Sequence, residues 1–256
     1  MSNDPTLGRR RFLTRAAAAL GTAALAGCDQ LSQESWFTQL LASAEGVTRA
    51  VQRAVIGQAL AREYAEADIT RNFRANGTTE PQSDEYQALA DKDFADWLLE
   101  IGGLVERPAK LSLTELRALP ARTQITRHDC VEGWSCIGKW AGARLGPILD
   151  KVGVKSNARY VVFFCADALD LSGDKYYESI DLAGAYHPQT ILAYDMNNAP
   201  LTVPHGAPLR LRFERQLGYK MAKYVMRIEL VESFAQLGRG KGGYWEDRGY
   251  EWYAGI

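Results

Sequence analysis

Cys130 stands among residues that suit it to chemistry. Arg127 and His128 precede it, and Glu132 and Trp134 follow within four residues. A thiolate is a soft ligand for soft or high-valent metals, and neighbouring cationic side chains lower a thiol pKa by favouring the anion. If Cys130 binds a metal, the protein is a redox enzyme in which Glu132 could move protons; if it does not, the sequence gives little other indication of chemistry.

The number of cysteines agrees with a metal-bound thiol. Besides Cys28 near the N-terminus, the chain contains Cys130, Cys136 and Cys165. Three is an odd number, so at least one of these thiols stays outside any disulfide, as a metal-bound Cys130 would. A zinc site is the weaker alternative, because no CxxC pair occurs and the three histidines lack the close spacing of zinc ligands.

The first 28 residues have the pattern of an export signal. Residues 9–13 read Arg-Arg-Arg-Phe-Leu, which is typical of a twin-arginine signal, and the apolar stretch 16–26 is too short to span a bilayer. Residues 25–28, Leu-Ala-Gly-Cys, are similar to a bacterial lipobox. We therefore expect a periplasmic protein held at a membrane surface by a lipid on Cys28. A Sec signal and an unmodified cysteine are the alternatives.

Composition and charge exclude some classes of function. Hydrophobic residues make up 46% of the chain and charged residues 24%, which is ordinary for a folded globular protein. The formal net charge is −1. Removing residues 1–27 takes away four basic and one acidic residue, which leaves 26 − 30 = −4. A chain with this charge is not expected to bind nucleic acid.

The elements that would position Cys130 follow from periodicity and turn chemistry. Apolar residues recur with a period near 3.6, which predicts an amphipathic helix from about Ser32 to Tyr64 within an extension over 29–69. Residues 70–85 predict a loop. Short helices are predicted after the capping box formed by Ser112 and Glu115, and over 146–152.

Strands dominate after residue 120. Residues 123–127 predict a strand leading into Cys130, and the apolar run 160–165 predicts a buried strand. Alternating apolar and charged residues over 209–214 and 226–230 predict two half-buried strands. We therefore expect an α+β catalytic domain with a mixed sheet over 70–235, and an aromatic tail, 236–256, docked on it.

Three motifs carry a resemblance to a known family. Residues 127–135, Arg-His-Asp-Cys-Val-Glu-Gly-Trp-Ser, resemble the molybdenum-cysteine segment of the sulfite-oxidase-fold molybdopterin oxidoreductases. Residues 205–211 and 218–223 match further motifs in the same order. The branch resembled is the periplasmic one, which includes the catalytic subunit of protein-methionine-sulfoxide reductase. The resemblance covers roughly residues 70–232 and implies a sulfite-oxidase-type fold with a mixed β-sheet and short helices.

The resemblance also implies a cofactor and its contacts. Cys130 would bind molybdenum together with one molybdopterin. Ten further residues would contact the cofactor: Arg71, Asn72, Arg74, Ala75, Cys165, His205, Arg210, Met221, Ala222 and Lys223. Better-known relatives have threonine where this chain has Cys165, and often asparagine where it has His205. Arg210 and Lys223 would donate charge-assisted hydrogen bonds to the phosphate of the cofactor. The alternative for both is an ordinary exposed position, because charged side chains mostly lie on the surface.

The implied chemistry is oxygen-atom transfer. Sulfite oxidation needs a cationic pocket, but residues 131–137 contain one acidic and no basic side chain. We therefore expect reduction of a neutral S-oxide or N-oxide, either a small molecule or a protein-bound group resembling methionine sulfoxide. A sulfite or other oxyanion dehydrogenase, and a non-catalytic protein that keeps the fold, are the alternatives. No haem-binding motif occurs, so electrons would come from a separate membrane-bound haem subunit, a partner implied by the family.

Overall fold

The structure is a computed structural model that describes residues 34–37, 43–44, 46–48, 50–51, 59–169 and 173–256. The export signal and Cys28 lie outside these residues. The chain divides into two compact units, Met1–Gly57 and Gln58–Ile256. In the first unit, the described residues from 35 to 51 are helical. No helix in the described ranges has both the length and the apolarity needed to cross a membrane.

The predicted N-terminal helix does not reach Tyr64. Residues 59–65, which open the second unit, are not helical. Tyr64 donates its backbone N–H to the carbonyl of Ile125 at 2.9 Å, and Ala61 donates its own to Oε1 of Gln189 at 2.6 Å. The prediction is wrong at this end because hydrogen bonds to distant parts of the unit satisfy the backbone, which local periodicity does not show.

Two sheets form the framework of the described part of the second unit. The first contains, in spatial order, β2 (Ala109–Ser112), β1 (Leu98–Gly103), β10 (Val225–Val231), β5 (Tyr160–Ala168) and β6 (Lys175–Asp181). The second contains β3 (Ala121–Asp129), β4 (Ser135–Arg144), β7 (Ile191–Met196) and β8 (Ala199–Pro200), with β9 (Arg210–Arg212) also paired to β7. β1 and β10 run parallel, whereas their other neighbours run antiparallel, so the predicted mixed sheet is confirmed.

A short helix, α1 (Asp84–Ala90), precedes β1, and others connect the strands: α2 (Leu113–Arg117), α3 (Leu145–Val152) and α4 (Leu182–Ala185). α2 begins at the predicted capping box, in which Oγ of Ser112 accepts from the backbone N–H of Glu115 at 3.2 Å. The Glu115 carboxylate accepts in return from the backbone N–H of Ser112 at 2.8 Å. α1 begins inside the segment predicted as loop, where Oγ of Ser83 caps it.

The main apolar core draws on both sheets and on α3. The first sheet contributes Leu99, Phe163 and Ile228, and the second contributes Leu192 and Leu211. All five side chains are fully buried. This shared core holds the two sheets together and so fixes the hairpin of β3 and β4, at whose turn Cys130 lies.

Strand β9 differs from its prediction. Arg210, Arg212 and Glu214 alternate with apolar residues, yet all three are buried. Arg212 donates from Nε and Nη2 to the two carboxylate oxygens of Glu214, each at 2.9 Å. The half-buried prediction is wrong because this charge pairing offsets the desolvation of both side chains, and periodicity does not reveal it.

Candidate active site

Cys130 opens the tight turn that joins β3 to β4. Its backbone N–H donates to the carbonyl of Trp134 at 2.9 Å, and its carbonyl accepts from the N–H of Gly133 at 3.0 Å. Gly133 has a φ of +85°, a left-handed conformation that glycine adopts without steric cost. The turn therefore holds the half-buried thiol at the end of a rigid strand pair.

The residues before Cys130 do not act on it as predicted. Side chains alternate along β3, so Arg127 points outward, where it lies 2.8 Å from a carboxylate oxygen of Asp129, and His128 points inward. Burial, the strongest influence, raises the pKa of Cys130. The expectation that Arg127 and His128 lower this pKa is therefore wrong.

A cavity opens beside Cys130. Its exposed end carries Val131, Glu132 and Tyr250. Its buried end and walls are formed by further residues: Asn76, Gly77, Thr78, Asp167, Leu169, Tyr176, Gly218, Tyr219, Met221, Lys223 and Trp245. The structure thus brings together Cys130, Glu132, Met221 and Lys223 from the predicted set.

A metal at Cys130 would need ligands from outside the protein. Cys130, Cys136 and Cys165 are all free thiols. Across the ranges that the structure describes, no three His, Cys, Asp or Glu side chains converge on one point. The described residues therefore give no support to zinc, and they fit a metal whose other ligands belong to a cofactor.

Buried polar groups without partners lie at the cavity and behind it. Arg210, at 1% exposure, donates from Nη1 to the carbonyl of His205 at 2.9 Å, but its Nε and Nη2 have no hydrogen-bond partner among the described residues. Nδ1 of His128 accepts from Arg212 at 3.1 Å, which places the imidazole proton on Nε2, also unpaired. Oδ1 of Asp167 is unpaired as well. Buried polar atoms nearly always have partners, so this cluster is suited to a polar ligand.

The electrostatics of the cluster favour an anion. Burial and the nearby charge of Arg212 lower the pKa of Arg210 to about 9. Burial and the charge of Arg210 lower the pKa of Lys223 to about 7. Burial and these same cations also lower the pKa of His128, which is therefore neutral. A bound anion would relieve the repulsion among these groups.

Lys223 is placed as predicted but is already hydrogen bonded. Its ammonium donates to the backbone carbonyls of Asn76 at 2.7 Å, Thr78 at 2.5 Å and Pro204 at 3.0 Å. These three bonds use all three protons and fix the 76–78 loop along the cavity. The unpaired donors in this region therefore belong to Arg210 and His128.

The predicted segment 71–75 lies at the surface beside the site. Arg71 and Asn72 are exposed, and Ala75 is partly buried. Arg74 lies over the ring of Trp134 at 5.2 Å and 3.7 Å from the carboxylate of Glu132. None of these four residues lines the cavity with Cys130, whereas the next three residues, 76–78, do.

His205, Cys165 and Ala222 take supporting positions. Nε2 of His205 hydrogen bonds to the carbonyl of Phe73 at 3.1 Å, and its Nδ1 to Oγ1 of Thr202 at 2.8 Å. Cys165 is buried in the core of β5, and Asp167, two residues on, lines the cavity instead. Ala222 is buried and accepts a backbone hydrogen bond from Leu211 at 2.8 Å.

Two glycines permit the close packing of the site. A Cβ on Gly218 would lie 2.4 Å from Nε2 of His128. Gly206 has a φ of +102°, and a Cβ there would lie 2.9 Å from the Lys223 side chain and 3.3 Å from that of Arg210. Larger residues at these positions would displace the groups that form the cluster.

The sequence patterns did not identify Asp167 as a cavity residue, and they did not indicate that His128 could donate a hydrogen bond to a ligand. A carboxylate at the end of an otherwise apolar strand is the signal that could have identified Asp167. The inward position of His128 follows from the alternation of β3, which the sequence does show. The cavity residues Trp245 and Tyr250 gave no signal beyond the aromatic content of the tail.

Comparison with known proteins decides the family. The model of the oxidoreductase molybdopterin-binding domain matches residues 86–236. The chain belongs to this family. The expected sulfite-oxidase-type fold and the assignment as a molybdenum-dependent oxidoreductase are thereby confirmed.

Several relatives of this molybdopterin oxidoreductase are known. A protein of Azospira oryzae, named provisionally as protein-methionine-sulfoxide reductase subunit YedZ1, is 40% identical over 96% of this chain and 87% of its own. The protein-methionine-sulfoxide reductase catalytic subunit MsrP of Xanthomonas axonopodis pv. citri is 34% identical over 66% of this chain and 55% of its own. In a solved structure, the sulfane dehydrogenase SoxCD of Paracoccus pantotrophus is 23% identical with a TM-score of 0.49, over 54% of this chain and 39% of that chain.

Proposed function

We propose that this oxidoreductase reduces a neutral S-oxide or N-oxide, such as a methionine-sulfoxide group, at a molybdenum centre bound by Cys130. The observation that carries the proposal is the division of the cavity. The cationic groups Arg210 and Lys223 lie at or behind its buried end, and the thiol lies nearer an exposed rim without net positive charge. Two relatives named as subunits of protein-methionine-sulfoxide reductase support the same reaction.

The described residues fit one molybdenum with one molybdopterin. Cys130 would supply the protein's thiolate, and the unpaired donors of Arg210 and His128 would meet the phosphate or the polar edge of the pterin. Met221, Ala222 and Lys223 would bound the same end. When bound, the metal supplies two-electron oxygen transfer, and the protein positions it. Arg71, Asn72, Arg74, Ala75, Cys165 and His205 remain proposed contacts on the basis of the resemblance.

The reaction consumes protons, and Glu132 is placed to supply them. Reduction of an S-oxide breaks the S–O bond, releases a thioether and forms water from the oxygen, two protons and two electrons. The Glu132 side chain is 60% exposed and accepts a hydrogen bond from Nε1 of Trp134 at 2.9 Å. A carboxylate held at the rim in this way can exchange protons with solvent and pass them toward Cys130.

An oxyanion substrate fits the rim less well. Glu132 is the ionisable side chain at the exposed end of the described cavity, and its neighbour Arg74 is 3.7 Å away. This pair leaves no net positive charge to attract a dianion such as sulfite. A neutral oxide experiences no comparable repulsion from Glu132.

The proposal includes a location and a partner. Residues 9–13 and 25–28 support export by the twin-arginine route and lipidation of Cys28, which would hold the protein at the periplasmic membrane surface. Two relatives are named as subunits, which supports a second chain. We propose that this chain itself binds no haem and receives electrons from a membrane-bound haem subunit.

The test uses the molybdenum-loaded protein with a reduced dye as electron donor. We expect methionine sulfoxide to cause dye oxidation in the wild type, and Cys130→Ser to abolish it while the circular dichroism spectrum stays unchanged. Cys136→Ser, at a buried thiol outside the cavity, is the matched control and should keep its activity. Full activity in Cys130→Ser would refute the role of this thiol.

Two further outcomes identify the alternatives. Turnover with sulfite and an oxidising dye, without turnover of any S-oxide or N-oxide, would identify an oxyanion dehydrogenase. Absence of molybdenum by elemental analysis, after expression in a host that makes the cofactor, would indicate a non-catalytic member of the fold.

A further inference from the structure

One wall of the cavity comes from the segment formed by residues 242–253, which we call the aromatic strap. Trp245 and Tyr250 of the strap line the same cavity as Cys130. Their rings stack with centroids 5.2 Å apart at 26°, and Tyr250 meets Tyr219 edge-on at 5.1 Å. The strap lies beyond residues 86–236, the part that matches the family model. It therefore adds a feature to the site that the matched domain does not contain.

Buried charges hold the aromatic strap in place. Nζ of Lys220 donates to Oε1 of Glu246 in the strap at 2.6 Å and to Oε1 of Glu178 in β6 at 2.5 Å. All three side chains are buried. Two buried carboxylates thus share one buried ammonium, and moving Glu246 would break a buried, hydrogen-bonded ion pair. This constraint fixes the position of Trp245, the residue next to Glu246.

Neutral hydrogen bonds add to this attachment. The backbone N–H of Tyr244 donates to the carbonyl of Tyr177 at 2.9 Å, and Nε1 of Trp252 donates to Oγ of Ser179 at 2.8 Å. The Tyr219 hydroxyl donates to the carbonyl of Glu251 at 2.7 Å. The strap is thus attached on both sides of Trp245 and Tyr250, which makes the wall preformed.

The wall is aromatic, and the rim carries two apolar surfaces beside Glu132. Val131 is 48% exposed and Tyr250 is 37% exposed, and both lie at the open end of the cavity. Aromatic faces attract alkyl groups and make favourable contacts with sulfur about 5 Å away. An inorganic oxyanion has no group that would use such a surface, whereas an alkyl S-oxide presents both a carbon chain and sulfur.

We propose that Trp245 and Tyr250 form a specificity wall that binds the alkyl chain of an S-oxide substrate beside Cys130. This inference rests on the proposed function, because it names the substrate class of the same site. The wall selects a methionine-sulfoxide side chain, with its additional methylene groups, over dimethyl sulfoxide. One methylene in an apolar pocket changes specificity by at least about tenfold.

The experiment compares two S-oxides in the molybdenum-loaded protein. For Trp245→Ala and Tyr250→Ala, we expect KM for N-acetylmethionine sulfoxide to rise about tenfold while kcat stays within about twofold. KM for dimethyl sulfoxide should change by less than about twofold. Tyr253→Ala is the matched control, because Tyr253 is an aromatic residue of the strap that does not line the cavity. Trp245→Phe, which keeps an aromatic ring, should restore most of the affinity.

The possible outcomes distinguish failure of the specificity wall from failure of the proposed S-oxide reduction. Equal increases in KM for both substrates, or the same increase in Tyr253→Ala, would overturn the specificity wall while leaving S-oxide reduction intact. Failure of the wild type to reduce any S-oxide would refute the proposed function itself. If Trp245→Ala does not fold, Tyr250→Ala still decides, because its ring is partly exposed at the rim. Binding of methionine sulfone, which we use as an unreactive analogue, should weaken about tenfold in calorimetry with the same variants.

Discussion

Replacing Arg210 by methionine should stabilise the cofactor-free protein and prevent it from holding the cofactor. The guanidinium is fully buried, and two of its three nitrogens have no partner in the part of the chain that the structure describes. Without an anion, this charge is desolvated and uncompensated. With a bound phosphate, the same nitrogens would become strong donors. The sign of the effect on stability should therefore depend on whether the cofactor is present.

The magnitude follows from the pKa of Arg210. Its value falls from 12.5 to about 9, and at 1.36 kcal/mol per unit this corresponds to about 5 kcal/mol of penalty on the charged form. The hydrogen bond to His205 and the contact with the Trp140 ring, 4.9 Å away, offset part of this penalty. We expect Arg210→Met to raise the unfolding free energy of the cofactor-free protein by about 1–4 kcal/mol.

Arg212→Met is the matched control. Arg212 lies on the same strand and over the same Trp140 ring, at 4.4 Å, but it is paired with Glu214. Removing it leaves a buried carboxylate without its partner, which should cost about 3–5 kcal/mol. The two neighbouring arginines should therefore change stability in opposite directions.

Urea denaturation of cofactor-free protein, produced in a host unable to make molybdopterin, measures both effects. Elemental analysis of protein from a competent host measures the loss of molybdenum in Arg210→Met. The reasoning is refuted if Arg210→Met destabilises the cofactor-free protein as much as Arg212→Met does, or if it retains a full molybdenum content.

Two further predictions concern Asp167 and Gly218. Burial raises the pKa of Asp167 from 3.8 to about 6, so between these values the folded state holds a proton that the unfolded state has released. The cofactor-free protein should therefore lose about 3 kcal/mol of unfolding free energy as pH rises through this window, whereas Asp167→Asn should not. Urea denaturation at several pH values measures both proteins, and a difference between them that does not change with pH would contradict this prediction. Gly218→Ala places a Cβ 2.4 Å from His128 and should cost most of the molybdenum content, whereas Gly102→Ala, with open space around it, should retain it.

Much of the fold could be predicted from local sequence. The capping box of Ser112 and Glu115, the strand leading into Cys130 and the apolar strand after residue 160 all form as predicted. Asn197 and Asn198 both have positive φ, a turn conformation that asparagine tolerates better than most residues. Each of these features depends on residues close together in the chain, whose propensities act before tertiary packing.

The site could be predicted only in part. The motifs identified Cys130 and Arg210, but a charged residue on an alternating strand has the same sequence pattern whether it is exposed or buried. The burial of Arg210 and Arg212 depends on Trp140 and Glu214, which are brought together by tertiary packing. The orientation of His128 toward Gly218, and the absence of a partner for Oδ1 of Asp167, likewise exist only in the folded chain.

The cavity walls come from segments spread along the chain, from Asn76 to Tyr250, and this sets an order of events during biosynthesis. A nascent chain cannot close the cavity until residue 250 has left the ribosome, because Trp245 and Tyr250 are the last wall residues made. Before the aromatic strap docks, that side of the cavity stands open to a large ligand. Insertion of molybdopterin into a released, nearly folded chain, followed by docking of the strap, would enclose the cofactor.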